Sequence, residues 1–379
     1  MAEITISVDD ATFDQWADSL PALQSSYLIP LTFAAPIPGI GSPPVAMDAT
    51  GERLLLEVGR ACARPEILED PGRLFAVLRY ASAVSTRYRV FTIAEPFWRL
   101  DTHKKKVLSD EFGCGAAFLL AGELFGAATI IDLETAVVNG LIATLAPKSR
   151  RPDYVVRLPA GGLVILEAKG TQSGASYARD RQLTSACLQT AAVRVSGPSA
   201  PQIDARVASA LSLSFEHWGP YTEAFVGDPE EARPEVYEFR EDAATVAQRS
   251  HYSRVAAFIG DRELAGRLSR AAEPLSAPAL PMSHRTLDGT SYLGTQLTFE
   301  AGGGRLRFFV GLDARLRQSL LESSFEATAA ALPSRGAKLI YDRDILSTRE
   351  HVPRDRVSVQ AETLAAAPDG TVWITTLER

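Results

Sequence analysis

The run 151–170 (Arg-Pro-Asp-Tyr-Val-Val-Arg-Leu-Pro-Ala-Gly-Gly-Leu-Val-Ile-Leu-Glu-Ala-Lys-Gly) constrains the fold of this chain more than any other stretch. Pro159-Ala160-Gly161-Gly162 has turn composition between two β-rich flanks, so the segment reads as a β-hairpin. A loop centred on Ala160 sets Asp153 opposite Glu167. Directly opposed residues hold their Cβ atoms about 5 Å apart, and strand alternation brings Lys169 onto the face of Glu167. Leu163 and Ile165 precede Glu167 on that face, while Val164, Leu166 and Ala168 occupy the other. A strand apolar on both faces belongs inside a covered sheet, yet this one ends in charge. Two carboxylates about 5 Å apart repel unless one is protonated or a cation lies between them. Hard divalent cations take oxygen ligands and suit such a place.

Residues 152–169 resemble the PD-(D/E)XK nuclease superfamily, the restriction-endonuclease-like phosphodiesterases. The resemblance rests on Pro152-Asp153 and Glu167-Ala168-Lys169 and extends over about 110 of the 379 residues. It implies an α/β fold with a restriction-endonuclease-like core, a mixed central β-sheet flanked by helices, with additional N-terminal and α+β C-terminal segments. It assigns Asp153 and Glu167 as metal ligands and gives Lys169 the task of orienting the attacking water or stabilising developing charge. Such a site hydrolyses phosphodiesters, with a metal ion acidifying water and polarising a phosphate oxygen. Two carboxylates without histidine or cysteine favour Mg²⁺ or Mn²⁺ over zinc. A helix over 177–193, with Leu183, Cys187 and Ala191 on one face, carries Gln182 and Gln189, where members often place a polar residue facing the site. The helix expected before the hairpin is 111–125, offering Glu111 at its start or Glu123 inside it; the two glycines behind Glu111 favour Glu111.

The resemblance carries further expectations. The superfamily serves restriction, repair and defence against invading DNA, so the expected substrate is DNA, and double-strand cleavage would call for a homodimer. Two rival readings stand beside the nuclease. One is a catalytically inactive nuclease-like module that binds nucleic acid or acts as a scaffold; the other is an effector whose C-terminal segment senses a ligand and licenses cutting.

Charge bears on the partner. The whole chain has a net charge of −7, which argues against non-specific nucleic-acid binding over the entire surface. Between Leu145 and Gln182 the balance reverses. Lys148, Arg150, Arg151, Arg157, Lys169, Arg179 and Arg181 face Asp153, Glu167 and Asp180, seven bases against three acids, a net of +4. Lys148, Arg150, Arg151, Arg179 and Arg181 are the candidates for a phosphate-backbone track, which His103-Lys104-Lys105-Lys106 extends.

Composition excludes several classes. No apolar run approaches a membrane span, the start Met1-Ala2-Glu3-Ile4 lacks a basic secretory region, and three unpaired-looking cysteines, Cys62, Cys114 and Cys187, argue against a disulfide framework. The five histidines are scattered. A cytoplasmic protein without a membrane partner is expected. Three segments follow: 1–95, helical and loop-rich; 96–225, the nuclease-like core; and 235–379, an α+β unit of unassigned role, divided from the core by a polar, proline-containing stretch at 227–234. Helices are expected over 52–63, 71–83, 251–272 and 313–331. Strands are expected over 206–215 and 372–374, and as a hairpin of 291–300 with 305–310 around Ala301-Gly302-Gly303-Gly304.

Overall fold

The computed structural model describes residues 4–62, 79–126, 129–138, 142–144, 151–158, 162–193, 203–229, 237–239, 243–268, 282–287, 289–302, 304–322, 359–367 and 369–378. The protein is mixed α/β, with a curled, mixed central sheet flanked by helices. That sheet has seven strands: β2 (Ser26–Phe33), β3 (Ala46–Thr50), β4 (Thr129–Asp132), β6 (Tyr154–Arg157), β7 (Leu163–Thr171), β8 (Ile203–Ser212) and β9 (Glu223–Gly227). Their spatial order is β3-β2-β9-β8-β7-β6-β4. The β7–β8 and β2–β9 pairs are parallel and the other pairs antiparallel.

Both faces of the sheet are covered, as the apolar run of β7 requires. Helix α1 is Asp10–Gln24, α2 Gly51–Cys62, α3 Thr102–Phe125 and α4 Leu133–Val138. Tyr154, Val156, Val164, Leu166 and Ala168 share one core with Phe112, Ala116 and Phe118 of α3. On the other face a helix, α5, runs through Ala175–Tyr177, a π-helical turn at Ala178–Leu183 and Thr184–Thr190. Its Ala178, Leu183 and Ala186 pack against Ala208, Ala210 and Phe225. Ile131, Val155, Leu163 and Ile165 complete that side with Val193.

A second, six-stranded sheet contains β1 (Ile4–Ser7), β11 (Ser283–Leu287), β12 (Thr290–Ala301), β13 (Gly304–Asp313), β14 (Val359–Ala366) and β15 (Thr371–Glu378). Short strands β5 (Ile142–Thr144) and β10 (Tyr237–Phe239) pair with each other. Helices α6 (Ala243–Phe258), α7 (Arg262–Leu268) and α8 (Ala314–Leu321) complete the fold. Helix α2 lies between the sheets, and its Glu52, Arg53, Glu57 and Arg60 are all buried.

The segments expected at 1–95, 96–225 and 235–379 do not partition the hydrogen bonding. β2 joins β9 of the central sheet, and β1 joins β12 of the second. The first ninety-odd residues thus supply strands that a helical and loop-rich reading leaves out. Pro30 hides one of them. It sits where β2 leaves its antiparallel partner β3 at Pro30↔Ala46 and takes up β9 from Leu31, a place where a missing N–H is tolerated. The 291–300/305–310 hairpin appears as β12 and β13. The helix expected over 251–272 starts earlier and breaks in two: the chain turns at Ile259-Gly260, and the Asp261 carboxylate caps α7 by accepting from Leu264 N at 3.1 Å. Most of the helix expected over 71–83, the 323–331 part of that expected over 313–331, and the hairpin loop 159–161 lie outside the described residues.

Candidate active site

The β6–β7 register pairs Tyr154 with Leu166 and Arg157 with Leu163. One step back along β6 and one step on along β7 sets Asp153 beside Glu167, as the hairpin argument requires. The two carboxylates are cross-tied through the backbone: Asp153 N–H donates to Glu167 Oε2 at 2.8 Å, and Ala168 N–H donates to Asp153 Oδ2 at 3.0 Å. Lys169 Nζ makes an ion pair with Glu167 Oε1. From α5, Gln189 Nε2 donates to that same oxygen at 2.5 Å and to the Arg151 carbonyl at 2.8 Å, pinning the helix to the mouth of the hairpin. The structure therefore brings Asp153, Glu167, Lys169 and Gln189 together.

Glu167 is fully buried, whereas the Lys169 side chain keeps a quarter of its surface in solvent. Burial, then repulsion from Asp153, pushes the Glu167 carboxyl up to about 8 despite the Lys169 ammonium. Burial also raises Asp153, with the Asp132 charge adding to it and Lys169 and the Ala168 amide opposing it. For Lys169 burial favours the neutral amine, but the adjacent Glu167 charge and hydrogen bond outweigh it, and the net shift is upward. The strand end is thus short of positive charge at neutral pH.

The helix before the hairpin is mounted on β7 by backbone contact. A Cβ on Gly113 would lie 2.7 Å from Gly170 N, and one on Gly170 would lie 1.7 Å from Ser109 O. Two glycines let α3 meet the strand this closely. That contact fixes the rotation of α3. Asp110, not Glu111, has its carboxyl influenced by Lys169: burial raises it while Lys106 and Lys169 oppose. Cys114, one turn on, has its thiol pushed up to about 12 by burial, with Asp153, Asp110 and Glu167 adding to the effect. Glu111 instead pairs with Arg79 Nη1 at 3.3 Å and lies near Tyr80. Glu123 is thirteen residues beyond Asp110, about 20 Å along the axis at 1.5 Å per residue, and is raised by burial with Arg53 opposing. Neither candidate glutamate joins the group. The missed residues, Asp110, Cys114 and Asp132, had one local signal: Asp110 and Cys114 are four apart and so lie on one helix face.

Of the candidate phosphate track, Lys148 and Arg150 lie outside the described residues. Arg151 is half-buried beside Gln189, while Arg179 and Arg181 stand exposed on the π-helical turn of α5, Arg179 paired with Asp180 at 2.8 Å. Among the described residues no group of three or more His, Cys, Asp or Glu side chains is arranged to hold a metal ion, and no helix is long and apolar enough to cross a membrane. The donor chemistry of Asp153 and Glu167 still fits a hard cation. Both are oxygen donors, Glu167 is buried and Asp153 half-buried, and the upward shift of Glu167 is the mark of negative charge that a cation would compensate. Comparison with family models, curated proteins and solved structures returns no match.

Proposed function

We propose that the chain is a metal-dependent nuclease with a restriction-endonuclease-like core, hydrolysing phosphodiester bonds in DNA. The observation that carries this reading is the pairing of buried Glu167 with half-buried Asp153 at a strand end, with Lys169 and Gln189 on the Glu167 carboxylate. Asp153 and Glu167 would hold Mg²⁺ or Mn²⁺, which when bound acidifies water and polarises a phosphate oxygen. The protein's own side chains do the rest. Lys169, a compact point charge with part of its surface in solvent, offsets negative charge developing on the phosphate. Gln189 and the Asp153 amide fix the orientation of both Glu167 oxygens, and Ala168 N–H fixes Asp153. At neutral pH the proton held by the Glu167 carboxyl must leave before a cation can bind, so affinity for the ion rises as pH climbs toward 8. Exposed Arg179 and Arg181 would meet the phosphate backbone.

The scaffold reading has an observation of its own. Both Glu167 oxygens already have donors, Oε1 from Lys169 and Gln189 and Oε2 from the Asp153 amide. A nuclease-like module without hydrolysis would have this self-satisfied site.

The test is cleavage of plasmid and labelled oligonucleotides by the full chain in Mg²⁺, Mn²⁺ or chelator. Asp153→Asn and Lys169→Ala are each expected to lower the rate by at least about 100-fold, the scale of losing one transition-state donor, without loss of folding. Activity that survives both substitutions sinks the assignment. Binding without cutting in every divalent ion hands the case to the scaffold reading.

A further inference from the structure

The strand end that carries Lys169 opens onto exposed aromatic side chains that hydrolysis does not use. β7 and β8 run parallel, with Lys169 beside Ala210 and Thr171 beside Ser212, and Leu213 N–H still donates to Thr171 O at 2.8 Å. The chain then enters a stapled loop. Ser214 N–H donates to Thr222 Oγ1 at 2.9 Å, Ser214 Oγ to Gly219 O at 2.8 Å and Trp218 N–H to Phe215 O at 2.9 Å. Reciprocal bonds, Ile93 N–H to Ser214 O and Glu216 N–H to Ile93 O, both 2.9 Å, bring the segment carrying Trp98 alongside. The Trp98 ring centre lies 4.7 Å from that of Trp218 and 5.3 Å from those of His217 and Phe215. Phe215 is buried and anchors the group.

Its outer members face solvent, as does Tyr221 in the same loop, whose N–H donates to Gly219 O at 2.9 Å. Trp98 and Trp218 are each 39% exposed and Tyr221 68%, three of the five large hydrophobic side chains exposed among the described residues. Concentration of such residues in one rigid place marks a contact surface. The charge around it selects the occupant. Lys105 Nζ lies 3.8 Å from the centre of the Trp98 ring, and the Lys105 carbonyl accepts from Gln172 Nε2 at 2.6 Å, tying the patch to the exit of β7. Residues 95–106 hold four cations, Arg99 and Lys104 to Lys106, against Glu95 and Asp101. The Asp101 carboxylate caps α3 by accepting from Lys104 N at 2.9 Å, and Glu216 accepts from Ser85 Oγ at 2.5 Å. Flat rings beside ammonium groups match bases beside phosphates. In a duplex the base faces are stacked on one another and out of reach; in a single strand they are free.

We propose that Trp98, Trp218 and Tyr221, with His217 and Lys105, form a stacking platform for unpaired bases of a single-stranded nucleic acid that leads toward Lys169. The direction of that path rests on the nuclease reading; the test does not. The full chain carrying Asp153→Asn is titrated in chelator against a fluorescein-labelled oligothymidylate of about 16 nucleotides, the upper site size of one such groove, and against a duplex of equal length. The single strand is expected to bind more tightly and to quench tryptophan fluorescence. Trp98→Ala/Trp218→Ala should raise Kd at least tenfold, Trp98→Phe/Trp218→Phe should restore most of the affinity, and Tyr221→Ala alone should weaken binding in the same direction. Because Tyr221 is mostly exposed, that single variant decides the matter if the double variant does not fold. Unchanged affinity in folded alanine variants, duplex binding equal to single-strand binding, or no oligonucleotide binding overturns the platform. Cleavage abolished by Asp153→Asn beside unaltered binding in the alanine variants sinks the platform and leaves the nuclease standing; a binding platform without cleavage does the reverse.

Discussion

The molecule buries two groups of charge, and they are wired in opposite senses. At the end of β7, burial and repulsion from Asp153 raise the Glu167 carboxyl, and burial with the Asp132 charge raises Asp153. Between the sheets, in the turn from β14 to β15, Asp369 is equally buried, yet burial is overruled there. Arg60, then His251 and Thr371, hold its carboxyl well below the usual carboxylate range. Arg60 Nη2 stands 2.6 Å from Asp369 Oδ2, His251 Nε2 3.1 Å from the same oxygen, and Thr371 Oγ1 donates to Oδ1 at 2.7 Å. Glu57, paired with Arg60, and Arg53, paired with Glu57 at 2.5 Å, extend the network along α2. One group is compensated and joins α2, α6 and the second sheet. The other is left wanting positive charge. Compensated burial is what a structural joint needs; uncompensated burial persists only where the surroundings enforce it, and such places are where chemistry is done.

The largest expected effect comes from breaking the joint. Arg60→Ala strands Asp369 and Glu57 in a buried site and should cost about 3–5 kcal/mol of stability, read from urea unfolding of the whole chain. Asp369→Ala should act alike, and the double variant should cost less than the sum, because the two share one interaction. Additive losses would mean that the contact between them contributes nothing and that the contrast with the Glu167 site is misdrawn.

A smaller effect tests how the site is mounted. Gly170→Ala drives a methyl group into Ser109 O, so α3 must shift, at about 1–3 kcal/mol, the usual scale of overpacking. The shift also moves Asp110 relative to Lys169, so cleavage is expected to fall further than stability alone explains at temperatures where the variant is folded. Gly162→Ala, whose added Cβ meets only the flexible Asp204 side chain, serves as the control. Equal activity in folded Gly170→Ala and wild-type protein would show that the α3 contact does not position the site.

How much of this was legible in the sequence depends on distance along the chain. The Asp153–Glu167 pairing was readable because a turn of known composition and strand alternation are local. The rotation of α3 was not, since Gly113 and Gly170 are far apart in sequence and only their contact decides that Asp110 rather than Glu111 turns toward Lys169. The Arg60–His251–Asp369 joint had no local signature at all. Each residue looks like a surface charge until three distant elements meet. The aromatic platform was invisible for a related reason: Trp98 and Trp218 meet through the bonds between Ile93 and residues 214–216.

The smallest effect is a change of slope in stability against pH, and its sign separates the two groups. Glu167 has a folded value of about 8 against an ordinary 4.5, so the folded state holds its proton more tightly than the unfolded chain. Its contribution to stability is full below about 4.5 and is lost as pH rises toward 8. Asp369 is shifted the other way, so its contribution is present above its ordinary 3.8 and is lost as pH falls below that. Thermal unfolding followed by circular dichroism between about pH 2 and 9, which covers the Glu167 titration and the onset of the Asp369 loss, should therefore show decline at both ends. Glu167→Gln should flatten the decline between about pH 4.5 and 8 and leave the acid limb; Asp369→Asn should do the opposite. Mg²⁺ at pH 8 should recover part of the alkaline loss in the wild-type chain, since a ligand that binds the folded state stabilises it, and should recover none in Asp153→Asn. Parallel profiles for wild type and Glu167→Gln between about pH 4.5 and 8 would mean that Glu167 is already compensated in the folded protein. The end of β7 would then be a second structural joint like the one at Asp369.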